Sequence, residues 1–266
     1  MNILDQIIAR KKEEVATQKA LVSEAVLTQM PFFKADALSM SSFVTSPLKT
    51  GIIAEFKRKS PSKGIINNTA TVTAVTAAYA TFGASGLSVL TDLDFFGGSL
   101  EDLTAARVHD TPILRKDFMV DPYQIIEAKA YGADVILLIA ACLTPLTVKE
   151  LATVAKDIGL EVLLEIHTKD ELDHVCGDGI DMVGINNRNL KTFEVDLAHS
   201  IALAKMLPAH LPKIAESGIS NVSTILELKK EGFNGFLIGE NFMKTPDPAA
   251  AFEAFVTDLK NRENES

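Results

Sequence analysis

Eight short runs rich in Val, Ile and Leu recur from residue 51 onward, each followed by a longer stretch with helical spacing, and no other feature narrows the possible folds as much. The runs are residues 51–57, 86–92, 112–118, 133–141, 161–167, 182–188, 212–218 and 235–242. Their starts lie 21 to 35 residues apart, enough chain for a strand, a loop and a helix of about three turns. Local punctuation supports the helices. Pro122 follows Asp121 at the head of a periodic stretch over 123–131 that Gly132 ends, and Pro145 follows Thr144 before 146–158, closed by Gly159. Asn221 can cap 222–231, with Gly232 beyond it. A last helix opens at Asp247 or Pro248, with Phe252, Phe255, Val256 and Leu259 at helical spacing. Eight such units with no further domain's worth of chain predict an α/β fold, a (β/α)8 TIM barrel, over residues 51–260. A doubly wound open sheet is the alternative. The count of eight and the lack of Gly-x-Gly-x-x-Gly after the first strand disfavour it.

Residues 1–50 fall outside the repeat. Ile3, Ile7, Ile8 and Val15 predict an amphipathic helix, and Pro31, Phe32, Phe33, Phe43 and Val44 a linker packed on the barrel. This extension either caps the barrel bottom or covers the catalytic end. The polar stretch from Lys260 reads as fraying, with residues 261–266 a disordered tail.

The chain's 266 residues carry 26 Lys+Arg against 35 Asp+Glu, a formal net charge of −9. So acidic a protein lacks the clustered cations that phosphate-backbone affinity needs, so no nucleic-acid partner is expected, although a local site can still bind a small anion. The N-terminus turns charged at Arg10, Lys11, Lys12, Glu13 and Glu14, unlike a secretory signal. The longest uncharged apolar run, 135–143, falls far short of the roughly 20 residues of a membrane helix. These features predict a cytoplasmic protein with no membrane contact, in which the Asn67 and Asn221 triplets carry no glycan. Cys142 and Cys176 fit no metal or redox spacing and read as buried, reduced thiols. The five histidines show no ligand spacing, so no metal site is expected.

Chemistry gathers where the strands end. Glu55 and Lys57 close the first, Lys116 the third, Glu165 and His167 the fifth, Asn186 and Arg188 the sixth, Glu216, Ser217 and Gly218 the seventh, and Gly239 and Glu240 the eighth. In a barrel this is the catalytic end. Residues two apart on a strand share a face, so Glu55 pairs with Lys57, Glu165 with His167, Asn186 with Arg188, Lys116 with Leu114, and Glu216 with Ile214. If those faces point inward, lysines and glutamates converge above the core. Structural ion pairs have no reason to gather at one end of six strands, so an acid–base site is the better reading. Gly218 and Gly239 follow strands seven and eight, the usual phosphate site of this architecture, where glycine lets backbone amides approach an anion. The segment Ser60-Pro61-Ser62-Lys63-Gly64 is basic and turn-prone, a lid able to contribute a phosphate ligand or an ordinary surface loop. Phe95 and Phe96, before Gly97 and Gly98, either line a pocket for a flat substrate or pack on the N-terminal segment.

These segments resemble the indole-3-glycerol-phosphate synthase family over nearly the whole chain. The carriers are IIAEFKRKSPSKG from Ile52 to Gly64, SVLTD ending at Asp92 with FGGS from Phe96, LRKDF over 114–118, GINNRNL over 184–190 and AESGI over 215–219. Phe56, Asn187 and the Glu240-Asn241-Phe242 run are mild departures that touch no implied catalytic group. The resemblance implies a carboxy-lyase of tryptophan biosynthesis that needs no cofactor. It would convert 1-(2-carboxyphenylamino)-1-deoxy-D-ribulose 5-phosphate to indole-3-glycerol phosphate, CO2 and water. It implies Lys116 as general acid, helped by a neighbouring lysine that disfavours its charged form, and Glu165 as general base. Lys57 would hold the substrate carboxylate and act as an acid in the dehydration, and Glu55 would orient Lys57 and Lys116. Asn186 and Glu216 would bind substrate hydroxyl or amine groups. Ser60, Arg188, Ser217, Gly218, Gly239 and Glu240 would form the phosphate and carboxylate shell, and Phe96 and Phe118 would hold the aromatic ring in a dry pocket. The expected partner is a phosphorylated small molecule, with the protein a monomer or weak homo-oligomer and no second barrel of the pathway fused behind it. Three other readings compete: a Schiff-base aldolase on the same fold, a non-catalytic phosphate-binding module, and the sibling isomerase barrel, which the Glu-x-Lys ending of strand one in place of a catalytic Cys disfavours.

Overall fold

Each of the eight apolar runs forms one strand in the computed structural model, and the eight close into a parallel barrel. The structure describes residues 2–107, 109–175, 179–188 and 195–265. Cys176 and the Asn189-Leu190 end of one motif lie outside these, as does Ser266. The strands are β1 (Ile52–Phe56), β2 (Gly86–Leu90), β3 (Ile113–Lys116), β4 (Val135–Ile139), β5 (Glu161–Ile166), β6 (Met182–Asn186), β7 (Lys213–Glu216) and β8 (Gly235–Ile238). Closure comes from β1 pairing with β8, Ile52 opposite Phe236 and Ala54 opposite Ile238. Every strand stops one to four residues before the apolar run does. The chain leaves the ladder where loops begin to carry polar groups, and two of the overshoots are helical turns, Ala140–Cys142 and Glu240–Met243.

Alternation sorts each strand into two environments. Ile53, Leu114, Val135, Leu137, Ile139, Leu163, Met182, Ile214 and Leu237 pack together as the barrel interior. Their neighbours Ile52, Ala54, Phe56, Ile136, Leu138, Leu164, Val183 and Ala215 face the helices in a second, larger core. Glu55, Lys116, Glu165 and Glu216 lie two residues on from Ile53, Leu114, Leu163 and Ile214. They therefore continue the interior face to the carboxyl rim.

The helical layer contains Val72–Phe82, Leu100–Ala106, Pro122–Ala130, Pro145–Asp157, Leu197–Ala204, Val222–Lys230 and Pro248–Asn264. Caps fall where the punctuation placed them: Asp121, Thr144, Asn221 and Asp247 each accept a backbone N–H of the first turn. Among the described residues between β5 and β6, the helical piece is a 3-10 turn, Lys169–Val175. The final helix runs on to Asn264, so residues 261–264 are helical rather than a disordered tail. Side-chain pairing explains this: Arg262 binds Asp258 at 2.9 Å and Ser223 at 3.1 Å, and Lys229 reaches Glu263 at 2.5 Å.

The N-terminal extension takes both of the places open to it. Helix α1 (Ile3–Leu21) crosses the carboxyl end of β2 and β3. Helix α2 (Met40–Thr45) stoppers the amino end, where Met40 and Val44 join the interior cluster. A methyl group on Gly86, at the base of β2, would lie 2.7 Å from Met40 Cε, so a side chain there would force the tip of this plug to shift. Glu161 holds it in place by accepting from Ser39 and Ser41 side chains at 2.6 and 2.7 Å.

Candidate active site

The amine of Lys116 is the hub of the rim. Nζ donates to Glu165 Oε2 at 2.9 Å and to Glu216 Oε2 at 2.8 Å, joining β3 to β5 and β7 across the mouth. Asn186 Nδ2, from β6, donates to Glu165 Oε1 at 3.1 Å. Lys57 Nζ pairs with Glu55 Oε1 at 2.7 Å, and Ser88 from β2 donates to Glu55 Oε2 at 3.4 Å. The three glutamates are almost wholly shielded from solvent, at 2 to 5 % exposure. Unpaired ions could not persist there, which is why each lies against a cation.

The cluster holds two cations against three carboxylates, and this imbalance sets the proton inventory. Burial opposes the charge on Lys116, but Glu165, Glu216 and Glu55 outweigh it and hold the ammonium well above the usual lysine range. The expectation that a neighbouring lysine would loosen its proton is therefore corrected: Lys57 is occupied by Glu55, and carboxylates dominate the surroundings of Lys116. Burial alone would raise the Glu165 carboxyl, yet Lys116, then His167, and hydrogen bonds from Lys116 and Asn186 bring it down to about 2. Glu216 goes the other way. Burial, together with the negative charge of Glu165, outweighs Lys116 and pushes it up to about 8. Glu216 Oε1 is buried with no hydrogen-bond partner among the described residues, whereas both oxygens of Glu165 accept one. Glu216 fits at all because Gly184 faces it, where a Cβ would lie 2.1 Å from Oε1.

Beside this cluster opens a cleft bounded by Lys57, Arg188, Lys244 and the backbone of residues 217–220 and 239–241. Ser217 and Gly218 are consecutive left-handed residues, with φ of 67° and 73°. That turn carries the chain from β7 around the cleft wall, and Asn187 Nδ2 braces it by donating to the Ser217 carbonyl at 2.8 Å. A Cβ on Gly239 would lie 2.7 Å from Glu55 Oε1, so this glycine lets the loop after β8 approach the Glu55–Lys57 pair. Arg188 Nε is buried with no partner among the described residues, and Nη2 lies only 3.8 Å from Glu240 Oε2. Three cations and a backbone turn, set against the carboxylates of Glu55 and Glu240, give this cleft the chemistry that an oxyanion site requires.

Not every candidate residue converges. Lys116, Glu165, Asn186 and Glu216 form one hydrogen-bonded cluster, the Glu55–Lys57 ion pair stands beside it, and Arg188, Ser217, Gly218, Gly239 and Glu240 line the adjoining cleft. Glu240 faces Arg188 at 3.8 Å and Lys63 at 4.0 Å, so its carboxylate holds cations at the rim. Ser60 sits apart, in a two-residue hairpin (Lys59–Ser60 with Gly64–Ile65), 3.5 Å from Ser62. Phe96 and Phe118 meet each other, ring centroids 6.1 Å apart, on the β2–β3 side of the mouth. Glu55 touches Lys57 directly but reaches Lys116 only through its field.

One group escaped the sequence reading. Lys11 of α1 is fully buried, with Nζ 2.9 Å from Glu14, 3.0 Å from Asp92 and 3.0 Å from Asp117. Asp117 also binds Arg115 at 3.2 Å and Thr91 at 2.6 Å, and Arg115 reaches Glu127 at 2.9 Å. This network sits directly behind Lys116 and Phe118, whose N–H donates to Asp117. Ser88 was missed as well, although its place on the inward alternation of β2 was the available signal.

Comparison with known proteins bears on the fold and the family. The barrel superposes on tryptophan synthase subunit alpha from Legionella pneumophila with a TM-score of 0.62 at 14% identity, covering 86% of this chain and all of that one. It superposes on a 3-hexulose-6-phosphate synthase with a TM-score of 0.59 at 15% identity, covering 79% of this chain and 99% of that one. Such identities speak to the fold alone. Sequence relatives are nearer. An indole-3-glycerol phosphate synthase from Bacteroides thetaiotaomicron is 48% identical, covering 97% of this chain and 99% of its own. One from Bordetella pertussis is 41% identical, covering 96% and 99%. The family model described as indole-3-glycerol phosphate synthase matches residues 4–255, and the chain belongs to that family.

Proposed function

We propose that this protein closes the ring of 1-(2-carboxyphenylamino)-1-deoxy-D-ribulose 5-phosphate and releases CO2 and water to give indole-3-glycerol phosphate. The observation that carries the reading is a lysine ammonium held 2.9 and 2.8 Å from two buried glutamates, beside a cleft suited to an oxyanion. With the phosphate anchored between Arg188 and the turn at Ser217 and Gly218, the sugar-derived carbonyl lies over the cluster. As the ring carbon attacks, negative charge develops on the carbonyl oxygen, and Lys116 supplies a proton there. The ring carboxylate, held by Lys57, leaves as CO2 and restores the electron pair to the ring. Loss of water then needs an acid at the departing hydroxyl and a base for the remaining proton. Lys57 fits the first role and Glu165, fully ionised at neutral pH, the second. Glu216, protonated near neutrality, donates to a substrate hydroxyl or amine through its unpartnered oxygen. The firm hold on the Lys116 proton is overcome because a developing alkoxide is a far stronger base than any carboxylate beside it.

A Schiff-base aldolase needs a neutral amine, and the acidic surroundings of Lys116, Glu165 foremost, hold it charged, which counts against that reading. We place the protein in the cytoplasm, acting as a monomer or weak homo-oligomer. The deciding assay follows indole fluorescence when purified protein meets the carboxyphenylamino sugar phosphate. Wild type forms product, borohydride traps no adduct, and Lys116→Ala binds substrate without turning it over. Near-normal turnover by Lys116→Ala would overturn the acid assignment.

A further inference from the structure

We propose that His167 is a positioning residue that fixes the orientation of the Glu165 carboxylate, an inference that rests on the reading of Glu165 as the base. His167 lies one residue beyond β5 and two beyond Glu165, so its ring turns to the same side of the mouth. Its side chain is 9% exposed. Its main chain is clamped from two directions: its N–H donates to Glu171 Oε2 at 2.5 Å, and its carbonyl accepts from His199 Nε2 at 2.9 Å. With the backbone so fixed, the ring has little choice of neighbour. Nε2 stands 3.4 Å from Glu165 Oε1, and Nδ1 stands 4.0 Å from Glu171 Oε2. Neither nitrogen has a hydrogen-bond partner among the described residues.

A buried imidazole with both nitrogens unsatisfied carries a cost that persists only where the group has a use. Glu165 offers that use. Asn186 already holds Oε1, and Lys116 holds Oε2. A small rotation of the ring brings Nε2–H onto Oε1 as a second donor. With two donors from β5 and β6 on Oε1, the carboxylate cannot spin about its terminal bond. Oε2 then stays aimed at Lys116 and at the substrate held above it. Base geometry within a few tenths of an ångström governs proton transfer, so locking one oxygen in place raises the rate of the chemical step without changing how tightly substrate binds.

The test compares His167→Leu, which removes the donor, with His167→Gln, whose amide nitrogen can occupy the place of Nε2. Loss of one hydrogen bond to a charged group predicts that His167→Leu lowers kcat by about tenfold or more while KM moves by less than about threefold. His167→Gln is expected to recover kcat to within about threefold of wild type. A leucine variant with kcat within about twofold of wild type, or a glutamine variant that falls as far as leucine, overturns the proposal. Glu165→Gln, run alongside, separates the two claims. If it abolishes turnover while His167→Leu is unaffected, only the role of His167 fails. If it still turns over, the base assignment fails and takes this inference with it.

Discussion

Replacing Lys11 with Met tests whether α1 is fastened to the catalytic rim by charge. Methionine preserves the apolar stem and removes the ammonium, which sits 3.0 Å from both Asp92 and Asp117 and 2.9 Å from Glu14. At an effective dielectric of about 20, each contact at this distance represents about 5 kcal/mol of gross attraction. Desolvating the ammonium consumes much of that. What remains in the variant is the larger cost: Asp92 and Asp117 stay buried, at 1 and 2 % exposure, with less positive charge beside them. Arg115 still supports Asp117, and the N–H groups of Phe95 and Phe96 still support Asp92, so the loss falls at about 3–5 kcal/mol, the usual range for breaking a buried pair. In a chain of this size that lowers Tm by about 5–9 °C. The sign with pH follows. Lys11 is held above its ordinary range, so its contribution is complete throughout the neutral region and fades only as alkaline pH strips the ammonium. In the variant the stranded carboxylates relieve their strain by taking up a proton, so the deficit is smaller at pH 5 than at pH 8. Calorimetry at both values measures it, and Lys11→Met combined with Asp92→Asn is expected to recover part of the loss. A single variant melting within about 2 °C of wild type would refute the reasoning.

Other outcomes follow from the site. Arg188→Ala is expected to raise KM by about tenfold or more with kcat little changed, because anion anchoring is largely uniform between ground and transition states; steady-state kinetics decide it. Glu216 has its folded-state carboxyl raised to about 8, so it stabilises the fold at low pH and loses that contribution as pH climbs towards 8; Tm of Glu216→Gln, followed across that range, should fall less steeply than that of wild type. Gly184→Ala places a methyl group 2.1 Å from Glu216 Oε1. It should depress kcat by displacing that carboxylate from Lys116, and a variant with wild-type kcat would show that Glu216 has room to move.

The barrel was legible because its signals are local and periodic. Val, Ile and Leu at strand spacing and Pro or Gly at helix ends recur eight times, and the alternation of Ile53 with Glu55, or Leu163 with Glu165, already assigned the inward face. Pairings were less accessible. Lys11 sits in a charged run that reads as a solvated face, and its partners Asp92 and Asp117 lie on strand ends far along the chain. The protonation of Lys116 was misjudged for a similar reason. Which charges surround it depends on barrel closure, which sets Glu216 rather than Lys57 against its amine. The gap at Gly184 and the plug formed by Met40 against Gly86 are steric facts that exist only between elements.

The stopper and the clamp belong to the same leading segment, and this has a consequence for how the molecule is made. During synthesis the first fifty residues emerge before any surface they will cover. Met40 waits for Gly86, Leu38 for Asp134, Ser39 and Ser41 for Glu161, and Val44 for Gly235 in the last strand. The leader's plug at the amino end is therefore complete only once β8 is made, whereas the partners of α1 at the lysine-bearing rim, Asp92 and Asp117, are in place earlier.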